Sequence, residues 1–166
     1  ASSRHRSNHD LRALLVFASQ QNDLQSSLLT YIISNKSGIV VLDSKKCQVI
    51  SNKVSDCRLD GIYLKNIGDT DIKSNNVTTV KRYGVQVISS QLKSLYGNTI
   101  TGNGNCGLRI VQSGISGSQQ NRLRNNGSSY AVYSRNSTGS VLVRLPASAR
   151  ITRNTARITG TAAGGR

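Results

Sequence analysis

Short apolar alternations return along the chain at a fixed interval of 23 residues. Gly38, Gly61, Gly84 and Gly107 open the segments GIVVL, GIYLK, GVQVI and GLRIV, and one further step lands on Tyr130 and AVYS. Fourteen residues after each opening stands an asparagine, Asn52, Asn75, Asn98 and Asn121, and two residues later an aliphatic side chain, Val54, Val77, Ile100 and Leu123. Val49, Ile72 and Leu95 lie three residues before the asparagine, with Ser118 the one departure. Successive strand side chains point to opposite faces, so Ile62 and Leu64 share an inner face while Tyr63 and Lys65 point outward. Units this short cannot bury an apolar face alone; stacked neighbours complete a common core. The short segments leave no room for a helix in each unit and lack the spacing of a leucine-rich repeat. The pattern predicts an all-β parallel β-helix.

The asparagine column has a structural reason. Coils stacked about 4.8 Å apart bring identical amides into hydrogen-bonding register, and an amide turned inward satisfies backbone groups that would otherwise be buried unpaired. At the N-terminal end, one period back from Gly38 reaches Leu15, so Leu14 to Ala18 is expected to form the strand of an imperfect capping coil, with an amphipathic helix over 10 to 19 as the alternative. After Asn136 the register breaks. VLVRL at 141 to 145 reads as a strand, while Ile151, Asn154 and Ala156 match Val49, Asn52 and Val54, implying ten extra residues in the turn around Asn136 to Ser140. The expected organisation is a capping segment over 1–37, regular coils over 38–136, an irregular last coil over 137–158 and a flexible tail over 159–166. Exposed coil edges invite self-association.

Composition adds a charge asymmetry. The net charge is +15, from 22 basic and 7 acidic residues, and every acid is an aspartate within the first 71 positions. The last 95 residues carry thirteen basic side chains and no acid. A field of one sign over half the molecule attracts polyanions such as acidic polysaccharide, nucleic acid or anionic surfaces. No apolar run approaches the roughly eighteen residues of a membrane helix, and no signal-peptide pattern is present. Three cysteines leave one unpaired in any disulfide scheme; Cys47 and Cys57 share a coil and could be bridged, or all three could be small buried hydrophobes.

Stacking turns the sequence into rows. The outward rows of the first strand read Val40, Tyr63, Gln86, Arg109, Val132 and Leu42, Lys65, Ile88, Val111, Ser134. The turn before that strand carries Arg58 and Lys81, with Arg82 and Tyr83 beside them, and another row carries Lys53, Asn76, Thr99 and Arg122, with Arg124 adjacent. Aromatic rings suit sugar faces, amides suit hydroxyls and cations suit carboxylates. The expected binding set is therefore Lys65, Lys81, Arg82, Tyr83, Gln86, Arg109, Arg122 and Arg124; the plainer reading is a solvated face whose charges guard against aggregation. The aspartates form no paired-carboxylate site of the kind a glycosidase needs and do not repeat between coils as a calcium cluster would. Phosphate loops, nucleophile elbows and zinc spacings are absent, so neither metal nor cofactor is expected.

The segments GIYLKNIGDTDIKSNNVTTV and NTITGNGNCGLRIV resemble the right-handed parallel β-helix repeats of the carbohydrate-binding and sugar-hydrolase group, in particular mannuronan C-5-epimerases. The likeness covers about residues 38 to 136. It extends to Asn8-His9-Asp10 before Leu14-Leu15-Val16-Phe17, set like the D-P-H-D motif of those enzymes, although Ser7 and Asn8 replace its Asp and Pro. The resemblance implies abstraction of the C-5 proton of a uronate, with His9, Asp10 or Tyr63 as acid and base and Arg58 or Lys65 on the carboxylate; β-elimination by a lyase begins the same way. The chain thus reads as an extracellular, secreted or cell-surface, right-handed parallel β-helix of about five to six 23-residue coils that binds, and in the epimerase-like or lyase-like reading modifies, an acidic polysaccharide. The alternative is a non-catalytic adhesin or fibre module of a larger assembly. Nucleic-acid binding is a third reading, since charge alone supplies non-specific affinity.

Overall fold

A computed structural model describes residues 14–17, 22–25, 31–33, 36–127, 131–145, 151–152 and 157–162, with side chains described over 36–127, 131–141 and at 143. Every strand pair is parallel, and each coil contributes one strand to each of three sheets. The first sheet stacks seven strands: Leu14–Phe17, Ile39–Leu42, Ile62–Lys65, Val85–Ile88, Leu108–Val111, Val132–Arg135 and Ile151–Thr152. The second runs through Asn22–Gln25, Cys47–Ile50, Thr70–Lys73, Gln91–Tyr96 and Gly114–Ile115. Tyr31–Ile33, Lys53–Ser55, Asn76–Thr78, Thr99–Thr101 and Asn121–Arg124 form the third.

The core follows from the alternation. Ile39 and Val41, Ile62 and Leu64, Val85 and Val87, and Leu108 and Ile110 enter from the first sheet, meeting Val49, Ile72 and Leu95 from the second and Val54, Val77, Ile100 and Leu123 from the third, all buried. The opening glycines mark where the chain passes too close to its neighbours for a Cβ. At Gly38 one would strike Val54 and lie 2.7 Å from the Gly61 carbonyl oxygen of the next coil.

The coil bends at three corners, and each corner is one residue in the left-handed region. Asp43, Asn66, Ser89, Gln112 and Asn136 turn the chain after the first sheet, Ser51, Ser74, Gly97 and Gln120 after the second, and Asp56, Thr79, Gly102 and Asn125 after the third, with φ between 47° and 67°. Left-handed geometry costs a non-glycine residue about 1–2 kcal/mol, so something must enforce it. The corner residue's own N–H donates to a backbone carbonyl of the next coil, as Ser74 does to Tyr96 (2.9 Å) and Asn66 to Ile88 (3.1 Å). In the middle coils the following N–H turns inward, and a side chain of the next coil accepts it.

At the second corner that side chain is asparagine. Asn52 N and Nδ2 donate to Asn75 Oδ1 (both 3.0 Å), Asn75 N and Nδ2 to Asn98 Oδ1 (both 3.0 Å), and Asn98 N and Nδ2 to Asn121 Oδ1 (3.1 and 2.9 Å). Each amide also donates backward, Asn75 to Val49 O, Asn98 to Ile72 O and Asn121 to Leu95 O. A second amide ladder serves the third corner: Val80 N donates to Asn103 Oδ1 and Asn103 N to Asn126 Oδ1, both at 3.1 Å. Hydroxyls serve the first corner, where the N–H groups of Ile67, Ser90 and Ser113 donate to Ser90, Ser113 and Ser137 Oγ.

The ends depart from the expected register. The regular spacing spans about four turns rather than five to six. Leu14–Phe17 is a strand, not part of a helix, and Leu14 pairs with Ile39 while Tyr31 pairs with Lys53, spacings of 25 and 22 residues. At the other end Arg109 pairs with Tyr133, a spacing of 24, so the outward places expected for Val132 and Ser134 fall to Tyr133 and Arg135. A shift of one residue exchanges the faces of a strand, and Val132 and Ser134 are buried. The turn expected around Asn136 to Ser140 instead leads into one long strand, Thr138–Leu145, which pairs with Gly114–Ile115 at its start and Asn121–Arg122 at its end and so joins the second and third sheets. Val143, not Asn154, therefore continues the Asn121 column. Ile151 pairs with Val132 in the first sheet rather than in the Val49 column. Asn154 and Ala156 lie outside the described residues.

Two outcomes follow for stability. Asn98→Ala removes the acceptor of two buried donors and should cost about 3 kcal/mol or more, at about 1–3 kcal/mol per stranded buried group. The half-buried Asn126→Ala should cost less, and urea unfolding that ranks them the other way contradicts the ladder account. The Ser134 hydroxyl is buried with no hydrogen-bond partner among the described residues. Ser134→Ala should therefore gain about 1 kcal/mol in the same assay.

Candidate functional site

The residues expected to bind a ligand divide between two faces. Arg122 and Arg124 are exposed on the third sheet, Arg122 in the row through Lys53, Asn76 and Thr99 and Arg124 in the row through Ser55, Thr78 and Thr101. Arg58 and Lys81 are exposed in the run from the third corner into the first sheet, and Tyr63 and Lys65 project from the first sheet itself, half-buried and exposed respectively. Arg82, Tyr83, Gln86 and Arg109 come together where that run meets the first sheet. His9 and Asp10 lie outside the described residues.

The cluster is centred on Asp60, which sequence reasoning did not single out. Asp60 is 4% exposed. Its backbone N–H donates to Ser37 Oγ (3.4 Å), and its Oδ1 accepts from Tyr83 N (3.3 Å) one coil on. Arg82 Nε stands 3.9 Å from the same oxygen. Gln86 bridges two coils: with its amide oriented to satisfy both neighbours, its nitrogen donates to Asp60 Oδ2 (3.1 Å) and its oxygen accepts from Arg109 Nη1 (2.8 Å). Arg82 and Arg109 both lie over the Tyr83 ring at 5.3 Å, and Arg109 is 5.6 Å from the ring of Tyr133. Cation–π contacts of this kind fix the guanidinium planes while leaving their edges free to donate.

Gln86 is itself buried, at 5% exposed, so it holds the arginines in place and does not offer its amide outward. Tyr63 stands beside it, one coil back. Burial pushes the Asp60 carboxyl above the usual aspartate range, against the Tyr83 N–H, Arg82 and Arg109, which favour the charged form. Burial also pushes the Cys106 thiol up, to about 11, a neutral and unreactive state at ordinary pH. Cys47, Cys57 and Cys106 are all buried thiols, without the Cys47–Cys57 bridge.

Asp43, Asp56 and Asp71 are tied to the scaffold, and Asp69 is exposed in the turn before the second sheet. Asp43 Oδ1 accepts from Asn66 Nδ2 (2.8 Å) and Asp56 Oδ1 from Thr79 Oγ1 (2.9 Å), both at corners. On the second sheet, burial pushes the Asp71 carboxyl up, but the Ser94 hydroxyl and the Lys73 ammonium at 3.0 Å outweigh it and hold the group below the usual range. Among the described residues no three His, Cys, Asp or Glu side chains could hold a metal ion together, and no helix is long and apolar enough to cross a membrane. The assembled chemistry is two oriented guanidinium groups among tyrosine rings on a rigid sheet, with one buried carboxylate behind them.

A right-handed crossover repeated through all-parallel coils is the pattern that the family comparison recognises, matching residues 16–160 as a right handed beta helix region. The chain belongs to that β-helix family. Curated proteins and solved structures give no match, so the likeness to mannuronan C-5-epimerases gains no support from them. The β-helix scaffold explains why the site has this form: residues 23 positions apart in sequence become neighbours one strand spacing apart, so Asp60, Tyr83 and Cys106 stack, as do Tyr63, Gln86 and Arg109.

The two shifted carboxyls should give opposite pH signatures. Asp71, lowered in the fold, stabilises above the ordinary aspartate range, and that contribution is lost as pH falls through its folded value. Asp60, raised in the fold, is most favourable at low pH, and its ionisation works against folding as pH rises through its folded value. Relative to wild type, Asp71→Asn should therefore lose stability as pH rises from 2 toward 7, whereas Asp60→Asn should gain it. Urea midpoints across that range check the prediction; parallel trends would contradict the assignment.

Proposed function

We propose that this β-helix binds an acidic polysaccharide along its first-sheet face, outside the cell, as a secreted or surface-attached protein. The observation that carries this reading is the pair Arg82 and Arg109, each over Tyr83, with Arg109 fixed by Gln86. Oriented guanidinium groups accept carboxylate or sulfate in bidentate fashion, and Tyr63, Tyr83 and Tyr133 supply half-exposed ring surface for sugar faces. The row Tyr63, Gln86, Arg109, Tyr133 runs across the strands, parallel to the solenoid axis, which suits an extended chain laid along the coils. Lys65 and Arg135, exposed in the adjacent row, extend the positive rim.

Arg122 and Arg124 belong to a different face and add to the general field without the tyrosines. The epimerase-like or lyase-like reading would draw its base from His9, Asp10 or Tyr63 and its carboxylate clamp from Arg58 or Lys65. A hydrolase pair of carboxylates is not assembled on the first-sheet face, where Asp60 stands alone among the described acids.

Retention on immobilised polymannuronate, with elution by salt, tests the reading. Replacing Arg82 and Arg109 by Ser should weaken binding about tenfold or more, the scale of one lost charge-assisted hydrogen bond. Replacing Arg122 and Arg124 by Ser should cost only the change in overall charge. Equal losses from the two pairs would reduce the binding to diffuse electrostatics and overturn the first-sheet site. Incubation with the polymer in solution, followed by ultraviolet absorbance for unsaturated ends and proton NMR for C-5 inversion, decides whether binding is accompanied by chemistry.

A further inference from the structure

Asp60 has no evident place in a surface that attracts anions. It is a buried acid in contact with the groups that would receive the ligand: Arg82 Nε is 3.9 Å from Oδ1, and Oδ2 is joined to Arg109 through the Gln86 amide. Asp43 and Asp56 are bonded at corners and Asp71 on the second sheet, whereas Asp60 is shared with the arginine cluster.

We propose that Asp60 is an internal counter-ion for Arg82 and Arg109, and that binding of an anionic polymer is coupled to proton uptake by Asp60 from solvent. The inference rests on the first-sheet binding site proposed above. Two anions that share one pair of cations raise each other's proton affinity, and by linkage a ligand that favours the protonated form binds more tightly as pH falls. Burial already pushes the Asp60 carboxyl above the usual range, the same direction in which a bound anion moves it.

The surroundings allow the change without disrupting the fold. Asp60 Oδ1 accepts from Tyr83 N, a bond that the carbonyl oxygen of a protonated carboxyl or of an asparagine can keep. Gln86 can reverse its amide, so that its oxygen accepts from the protonated Oδ2 while its nitrogen turns toward Arg109. That reversal withdraws the acceptor from Arg109 and frees the guanidinium for the ligand. The charged and titratable groups facing Asp60 are Arg82 from the preceding turn and Arg109 from the first sheet, together with the Cys106 thiol of the stacked column, which stays neutral with its value pushed up to about 11. Ser37 and Tyr83 contribute a hydroxyl and an amide without charge at these positions.

The test uses sulfated dextran, whose sulfate esters stay ionised while carboxylates titrate. Its affinity for the full chain is measured by calorimetry between pH 4 and 8 at constant ionic strength, in pairs of buffers with different ionisation enthalpies. The wild type should take up a proton on binding and bind about tenfold more tightly at the acid end, the equivalent of a one-unit rise in the Asp60 value. Asp60→Asn should bind at pH 7 as tightly as the wild type does at low pH and should lose that part of the pH dependence. His5 and His9 are present in both proteins and cancel in the comparison. A wild type and an Asp60→Asn variant with the same pH profile overturn the inference while leaving the binding site standing; no binding at any pH overturns both. In the wild type alone, carbon-detected NMR of the Asp60 carboxyl with and without the polymer reads the coupling directly, and an unshifted titration overturns the inference even if the variant fails to fold.

Discussion

A chain that must turn three corners in every coil cannot leave the inward-turning amide at each corner unpaired. The left-handed residue reverses the peptide orientation, so its own N–H is served by the backbone of the next coil while the following N–H points into the core. An unpaired buried amide costs about 1–3 kcal/mol, and every coil would incur that cost at each corner. In the middle coils the solution is a column of side-chain oxygens, with Asn75, Asn98 and Asn121 at one corner, Asn103 and Asn126 at another, and Ser90, Ser113 and Ser137 at the third. Each amide in the long column also donates to a carbonyl of the previous coil. A single asparagine thus ties together three consecutive coils, and the register of the whole solenoid depends on it.

The same constraint prepares the first-sheet face. Between the third corner and the first sheet the chain again has amides to satisfy, and Asp60 performs that task for Tyr83 as Ser37 does for Asp60. A serine needs no counter-charge. A carboxylate in the same column does, and Arg82, Gln86 and Arg109 gather around it. The arginine–tyrosine cluster therefore grows out of a scaffold position, with its two arginines oriented by the acid behind them and the tyrosine ring between them.

The middle of the fold was legible because its constraints repeat. Gly38, Gly61 and Gly84 recur where no Cβ fits, the apolar pairs recur where the core is narrow, and the asparagine column recurs where an amide must be met. Legibility failed where one unit solved the same problem differently. The Asn103–Asn126 ladder was hidden because the column begins with Cys57 and Val80, which are apolar and give no polar signal. The outward row was misread at its last step because one extra residue between Val111 and Arg135 exchanges the two faces of a strand, placing Tyr133 outside and Ser134 inside. No local feature of AVYSR reveals such a shift. Asp60 escaped notice for a related reason: it follows Ser37 in a column whose later members, Tyr83 and Cys106, share neither charge nor shape with it. Its partners lie one and two coils away, so only the stacking distance brings them together.

Charge asymmetry along the sequence acquires a spatial meaning through stacking. In a solenoid, position in the sequence is position along the axis, so the acid-bearing segment ending at Asp71 and the acid-free segment after it occupy successive coils. A polyanion is drawn toward the coils beyond Asp71, where no carboxylate opposes the field. Field strength alone would favour the far coils, yet the oriented arginines lie at the junction, where Asp60 from the acidic side meets Arg82 and Arg109 from the basic side. In the proposed binding reading, long-range attraction and short-range recognition are separated: the acid-free coils would gather the polymer, and only where an acid stands behind the cations are they held in a fixed geometry. A uniformly basic surface would attract as strongly and discriminate less, because mobile arginines and lysines must lose side-chain freedom on contact. The buried carboxylate weakens the net charge at the junction and in exchange fixes the direction in which that charge is presented.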